Sequence, residues 1–235
     1  MEKLVYAVWR REGDAPHHLS ARLRADLPET LAELGVTGLQ VNVADDDVAE
    51  AMVRITTHQP AIDGAVSLWV TTASDVVRLP IEAALREVVG SLAGWLVTES
   101  VPLANPRTAS GARTPGYANL AFLRRPAELD QPEWLRRWQG EHTAVAIETQ
   151  STFGYTQNVV VRAVTPGAPA IDGIVEELFP AEAMTDLHAF FDTGGDDEEL
   201  AARMGAMGAS VAAFGADRVI DVVPTSRYVF TTPFA

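Results

Sequence analysis

The sequence predicts an α+β fold in which two βαββαβ units, joined end to end, pack sheet to sheet around a barrel-like core. Three observations predict it. The tetrapeptide Ala-Ile-Asp-Gly occurs at residues 61–64 and again at 170–173, each time after a proline (Pro60, Pro169) and before a run rich in β-formers. Flanking segments match as well: Val8-Trp9-Arg10-Arg11 with Phe122-Leu123-Arg124-Arg125, and Leu39-Gln40-Val41-Asn42-Val43 with Tyr155-Thr156-Gln157-Asn158-Val159. Hydrophobic periodicity then gives the same order of strands and helices in each half.

Residues 4–9 read as a short buried strand. Leu19, Leu23, Leu27, Leu31 and Leu34 recur at three- and four-residue spacing, which marks an amphipathic helix. It kinks or restarts at Pro28, where Asp26-Leu27-Pro28-Glu29 has the form of a cap with proline near the first helical position. Residues 36–43 and 62–71 supply the second and third strands, separated by an acidic stretch at Asp45-Asp46-Asp47. Ser74 or Asp75 can cap a helix running to about residue 92, and residues 95–101 make the fourth strand. Residues 104–115, with Pro106, Gly111 and Pro115, read as a linker, dividing the chain into units 1–104 and 116–235.

The pattern then begins again. Residues 117–123 form a strand and a helix runs from Pro132 to about residue 150. Strands follow at 154–163 and 171–179, helical segments at 181–191 and 198–214, and a final strand and tail at 218–223 and 228–230. A βαββαβ unit places both helices on one face of a four-stranded antiparallel sheet, the ferredoxin-like arrangement. The bare face of each sheet needs cover, and the other unit is at hand to provide it.

Of 235 residues, 47% are hydrophobic and 21% charged, the composition of a globular protein. The net charge of −14 argues against a surface that neutralises phosphates, so neither nucleic acid nor an anionic membrane is an expected partner. The absence of cysteine excludes disulfides, thiolate nucleophiles and Cys-type metal sites. The start of the chain lacks the features of a signal peptide and no apolar run approaches the ~20 residues of a membrane span, so a cytoplasmic location is expected. With both sheets covered inside one chain, a monomer is the expected state.

The repeat supplies an internal control: residues that differ between equivalent positions are not demanded by the fold alone. At the 116-residue offset set by Leu39 and Tyr155, His142 falls opposite Asp26, Trp138 opposite Arg22, and Gln157 opposite Val41. Trp134, Trp138 and His142 stand four apart and share a helix face, while Tyr155 and Gln157 share a strand face. An imidazole on a tryptophan-lined helix facing a phenol and an amide makes a small-molecule cleft, with His142 as the proton-transfer residue and Trp134, Trp138, Tyr155 and Gln157 as ligand contacts. On pattern alone, a lone histidine on an apolar helix face is more often a satisfied core residue. Asp172, Glu176 and Glu177 give a weak carboxylate signal, with at least one expected in solvent. His17-His18 lacks a third ligand at metal spacing, so no metal site is expected. Met204-Gly205-Ala206-Met207-Gly208-Ala209 reads as close helix packing rather than a dinucleotide loop, and the sequence gives no cofactor motif.

Residues 117–230 resemble the EthD-like family of the dimeric α+β barrel superfamily. The resemblance rests on Phe122-Leu123-Arg124-Arg125-Pro126, on Trp134-x3-Trp138-x3-His142, on Tyr155-Thr156-Gln157-Asn158 and on Ile171-Asp172-Gly173-Ile174-Val175-Glu176. The first half looks like a degraded copy that keeps Ile62-Asp63-Gly64 but has Asp26 where the histidine would stand. The resemblance implies ferredoxin-like units paired through their sheets, with one chain doing the work of a dimer. It also implies a ligand between the sheet and helices of one unit. Relatives include cofactor-independent monooxygenases of aromatic polyketides, polyketide cyclases and haem enzymes, so it implies a small aromatic or polyketide-like substrate, or an accessory protein that binds one without converting it.

Overall fold

A computed structural model describes residues 1–25 and 27–233. The strands are β1 (Glu2–Trp9), β2 (Gly38–Val43), β3 (Gly64–Val70), β4 (Ser91–Leu103), β5 (Tyr117–Leu123), β6 (Gly154–Ala163), β7 (Gly173–Phe179) and β8 (Ile220–Thr231). Helices α1 (Pro16–Ala25), α2 (Leu27–Glu33) and α3 (Asp75–Val88) belong to the first half. In the second half a π-helical stretch, Arg136–His142, separates α4 (Gln131–Leu135) from α5 (Thr143–Thr149), and α6 (Leu187–Phe190) and α7 (Asp197–Ala213) follow. No helix among the described residues is long and apolar enough to cross a membrane.

The eight strands close into one barrel in the order β1-β3-β2-β8-β5-β7-β6-β4, and every neighbouring pair is antiparallel. Each half contributes four adjacent strands in the ferredoxin-like order. The two sheets not only face each other, as the sequence leads one to expect, but also join at their edges, β2 to β8 and β4 to β6. Edge strands with free N–H and C=O groups invite foreign pairing, and closure removes them.

Strand alternation sorts side chains into an interior and two outer faces. One part of the interior is apolar: Val5, Ala7, Trp9, Ala65, Trp95, Leu120, Phe122, Ile174 and Val223 pack across the two halves. The other part is charged. Glu176 accepts from Gln40 Nε2 (2.8 Å) and Asn42 Nδ2 (2.7 Å) and pairs with Arg227 (3.3 Å), whose Nη2 donates to Gln40 Oε1. Lys3 pairs with Glu99 at 2.6 Å. The outer face of the first sheet (Leu4, Tyr6, Val8, Leu39, Val41) is sealed by Leu19, Leu23, Leu27, Leu31, Ile81 and Leu85 from α1–α3.

The repeated Asp-Gly has a structural reason in both copies. Asp63 accepts from the Arg10 backbone N–H and Asp172 from that of Arg125, both at 2.9 Å, so each aspartate pins the end of a first strand to the start of a third. The glycines are fixed by close approach: a Cβ on Gly64 would lie 2.2 Å from the Asn42 carbonyl oxygen, and one on Gly173 would lie 2.6 Å from the Trp138 ring.

Several local expectations need correction. Residues 181–191 are not one helix: a 3-10 turn, Ala181–Met184, gives way to the single turn of α6, where Asp186 accepts from His188 N and restarts the helix. The cap proposed at Asp26, and its equivalence with His142, lie outside the described residues. Residues 104–115, read as a linker, are tied to β8, where Gly111 and Thr114 donate backbone bonds to Val229 and Arg227. The segment after β2 does not stay with the first half. Met52 N donates to the Met184 carbonyl, Ile55 bridges to Val222, and Asp221 accepts from the backbone of Thr57 and His58 and pairs with Arg124.

Candidate functional site

The helix over the second sheet starts where Asp130 accepts from Glu133 N (2.9 Å), with Pro132 in the first turn. Midway its ladder widens: Thr143 N donates to the Trp138 carbonyl, an i→i+5 bond, and the Thr143 hydroxyl donates to the same oxygen at 3.1 Å. Trp134 and Trp138 are buried with ring centroids 4.8 Å apart, and they lie on Gly173 of β7. After the widened turn His142 meets α7. Its Nδ1 is 3.0 Å from Ser210 Oγ and its ring 4.7 Å from that of Phe214. Burial, with only 7% of the residue exposed, lowers the imidazole to about 4 and keeps it neutral at pH 7. Thr143, the next residue, is the one that reaches β6.

Tyr155 and Gln157 sit on the outer, helix-covered face of β6. Gln157 donates to Thr143 Oγ1 (2.6 Å) and accepts from Ser100 (3.2 Å) and Gln139 (3.3 Å). The Tyr155 phenol is buried, and burial together with the charge of Glu177 pushes its ionisation well above the usual range. Glu177 is the register partner of Tyr155 on β6 and of Asn119 on β5. It is half-buried with Oε1 out of contact with water and without a hydrogen-bond partner, and burial raises its carboxyl to about 7. Asn119 Oδ1 beside it is also unpaired.

The two outer layers differ in how completely they are satisfied. In the first, the buried polar groups bind one another: Tyr6 OH donates to Glu82, which Arg78 and Arg86 also hold. Eleven buried side-chain atoms among the described residues fall outside hydrogen-bond geometry, and six belong to the second layer: Asn119, Trp134, Trp138, whose indole N–H nonetheless lies close enough to the Tyr155 hydroxyl to influence it, Gln150, Ser151 and Glu177. The first layer has one, Arg78 Nε. Buried polar atoms are almost always paired, so the second layer is the less completely satisfied of the two within the protein.

Two surface cavities lie elsewhere. One of about 400 Å³ is lined by Trp95, Arg125, Asp172 and neighbours, and one of about 450 Å³ by Lys3, Trp69, Glu99 and neighbours. No group of three metal-ligating side chains occurs among the described residues.

Residues 126–205 match the family model of the EthD domain. That span holds Trp134, Trp138, His142, Tyr155 and Gln157. Among solved structures the chain is similar to an anthrone oxidase-like protein, with a TM-score of 0.57 at 11% identity, covering 100% of this chain and 95% of that one. The fold is a dimeric α+β barrel within one chain. Candidate monooxygenases from Lactobacillus acidophilus NCFM (TM-score 0.46, 10% identity, 99% and 96% coverage) and Fusobacterium nucleatum (0.48, 10%, 98% and 92%) are also similar. No curated protein matches.

Proposed function

We propose that the second half of the chain binds a small, largely apolar molecule, aromatic or polyketide-like, between its sheet and its helices, and converts it by proton transfer. The unpaired polar atoms concentrated in that layer, against a first layer whose polar groups pair among themselves, are the observation that carries this reading. The EthD match over the same residues supports it, as does a fold shared with a protein named anthrone oxidase-like.

Trp134 and Trp138 form the apolar wall, and Tyr155 and Gln157 the polar end. In the tautomer that accepts from Ser210 at Nδ1, the neutral His142 carries its proton on Nε2 and serves as donor to an oxygen gaining charge. Loss of a proton from such a substrate leaves an electron-rich anion that dioxygen can oxidise directly.

Anthrone is a suitable probe. Its titration is expected to quench tryptophan fluorescence, with the response reduced in Trp138→Phe, and then to show turnover as oxygen uptake. His142→Ala is expected to lower the rate by ~10²–10³-fold; a full rate in that variant removes His142 from the mechanism. A non-catalytic accessory role is the second reading, favoured by Gln157 already being engaged within the protein, and it corresponds to quenching without uptake.

A further inference from the structure

Among the described residues, buried and half-buried carboxylates are matched, with one exception. Glu82 is held by Arg78, Arg86 and the Tyr6 hydroxyl. Glu176 is held by Arg227, Gln40 and Asn42. Asp221 has Arg124, Thr57 and two backbone N–H groups. Glu99 has Lys3 and the Trp69 indole N–H, and Asp45 accepts from Ser20, Ser226 and Tyr228. Glu177 is the neighbour of Glu176 on β7, but alternation turns it outward, under the helices. Among the described residues it has no cation, and its Oε1 has no partner. Its cross-strand neighbours are Tyr155 on one side and the unpaired Asn119 Oδ1 on the other. The groups that feel its charge are the phenols of Tyr155 on β6 and Tyr117 on β5.

A carboxylate and an amide oxygen side by side present lone pairs that only a donor can fill. Leaving a buried acceptor unmet costs ~1–3 kcal/mol, and more for a charged one, so a structural role would have been met by an arginine, as it is elsewhere in the chain. A carboxylate left unmatched in a layer lined by Trp134, Trp138 and Tyr155 is suited to take a proton from what binds there.

We infer that Glu177 is the proton acceptor of this layer, acting on a weakly acidic C–H or O–H of a small aromatic ligand held against Tyr155 and Asn119. The inference rests on the binding reading above. In the step the ligand's C–H or O–H bond breaks, its electron pair stays on the ligand, and a new O–H bond forms on Glu177. The anion so formed is stabilised by donors from the opposite wall, and the proton returns to ligand or water, with no change of oxidation state. The carboxyl, raised by burial to about 7, is matched to this task near neutral pH.

The test uses the full chain as wild type, Glu177→Gln and Glu177→Asp. Infrared difference titration, which needs no ligand, is expected to show one carboxyl protonating near neutrality in the wild type and absent from Glu177→Gln; identical titrations in the two overturn the inference. Deuterium exchange at the methylene of anthrone, followed by NMR in D2O, reads the proton step alone. Wild type is expected to accelerate it, and Glu177→Gln to lose ~10²–10⁴-fold while anthrone still quenches the tryptophans. Glu177→Asp is expected to recover part of the loss. Exchange at the wild-type rate in Glu177→Gln, with quenching intact, overturns the inference. If anthrone quenches neither protein, the binding reading fails for this ligand class and the inference that rests on it falls with it, whereas intact quenching with unchanged exchange overturns the inference alone.

Discussion

His142 and Glu177 stand in one helical layer and titrate in opposite senses, which gives the stability of the protein a composite pH dependence. The imidazole falls from 6.5 to about 4 on folding, so its contribution is complete above pH 6.5 and is lost as pH falls toward 4, on the order of 3 kcal/mol at most. Glu177 rises from 4.5 to about 7, so folding is favoured below pH 4.5 and the advantage is lost as pH rises through 7. Between pH 4.5 and 6.5 the two slopes oppose each other. Glu177→Gln is expected to leave the His142 slope exposed: urea unfolding should show it gaining stability from pH 4.5 to 6.5 more steeply than wild type, and exceeding wild type at pH 8. Parallel curves would mean that the Glu177 carboxyl is not perturbed by folding. At this scale the sequence was informative where spacing encodes a face. Trp134 and Trp138 by fours lie against the sheet, and Tyr155 and Gln157 by twos lie under the helices, but beyond the π-helical turn His142 meets α7 and Thr143 takes the place facing β6. Glu177 gives only a weak signal in the sequence because alternation says which face a residue takes but not what it meets there; that depends on strand register, which places it between Tyr155 and Asn119.

The helical elements show a different limit. Their existence was legible from leucine and tryptophan periodicity, but the π-helical turn was not, because a widened ladder leaves no mark in a four-residue spacing. Its anchor is Thr143, whose hydroxyl both donates to the Trp138 carbonyl and accepts from Gln157. Thr143→Val keeps the shape and removes both bonds, so it is expected to cost about 1–3 kcal/mol in chemical denaturation. A cost of that size should come with a shift in the fluorescence of Trp138. In α7 the sequence misled. The Met204–Ala209 run suggested glycines chosen for close helix packing, yet a Cβ at Gly205 or Gly208 would meet nothing within 4 Å, and no residue of the helix is buried. Each glycine therefore only lowers helix propensity. Gly205→Ala and Gly208→Ala are each expected to stabilise by about 0.5–1 kcal/mol, raising the melting temperature by about 1–4 °C. A drop instead would reveal a neighbour that needs the space.

At the scale of the whole molecule, the repeat foretold two related halves but not how firmly they are joined. Internal similarity reports duplication; it says nothing about whether the sheets merely stack or share edges. The closure decides how the halves depend on each other. Without its partner, each would expose the apolar barrel interior on one face and two open strand edges, β2 and β4 in one half, β8 and β6 in the other. Charges cross the same boundary: Glu176 and Arg227 of the second half are completed by Gln40 and Asn42 of the first. Residues 1–104 and 116–235, produced separately, are accordingly expected to be insoluble or aggregated, and to recover a soluble 1:1 complex when produced together. Glu176→Ala would leave Arg227 uncompensated in the barrel and is expected to destabilise the intact chain by about 3–5 kcal/mol, and to weaken recovery of the split complex in step. The intact chain, its edges already paired, is expected to sediment as a monomer of 25.3 kDa. Soluble, cooperatively unfolding halves obtained singly would show that edge pairing is secondary, and that each sheet can be covered without the other.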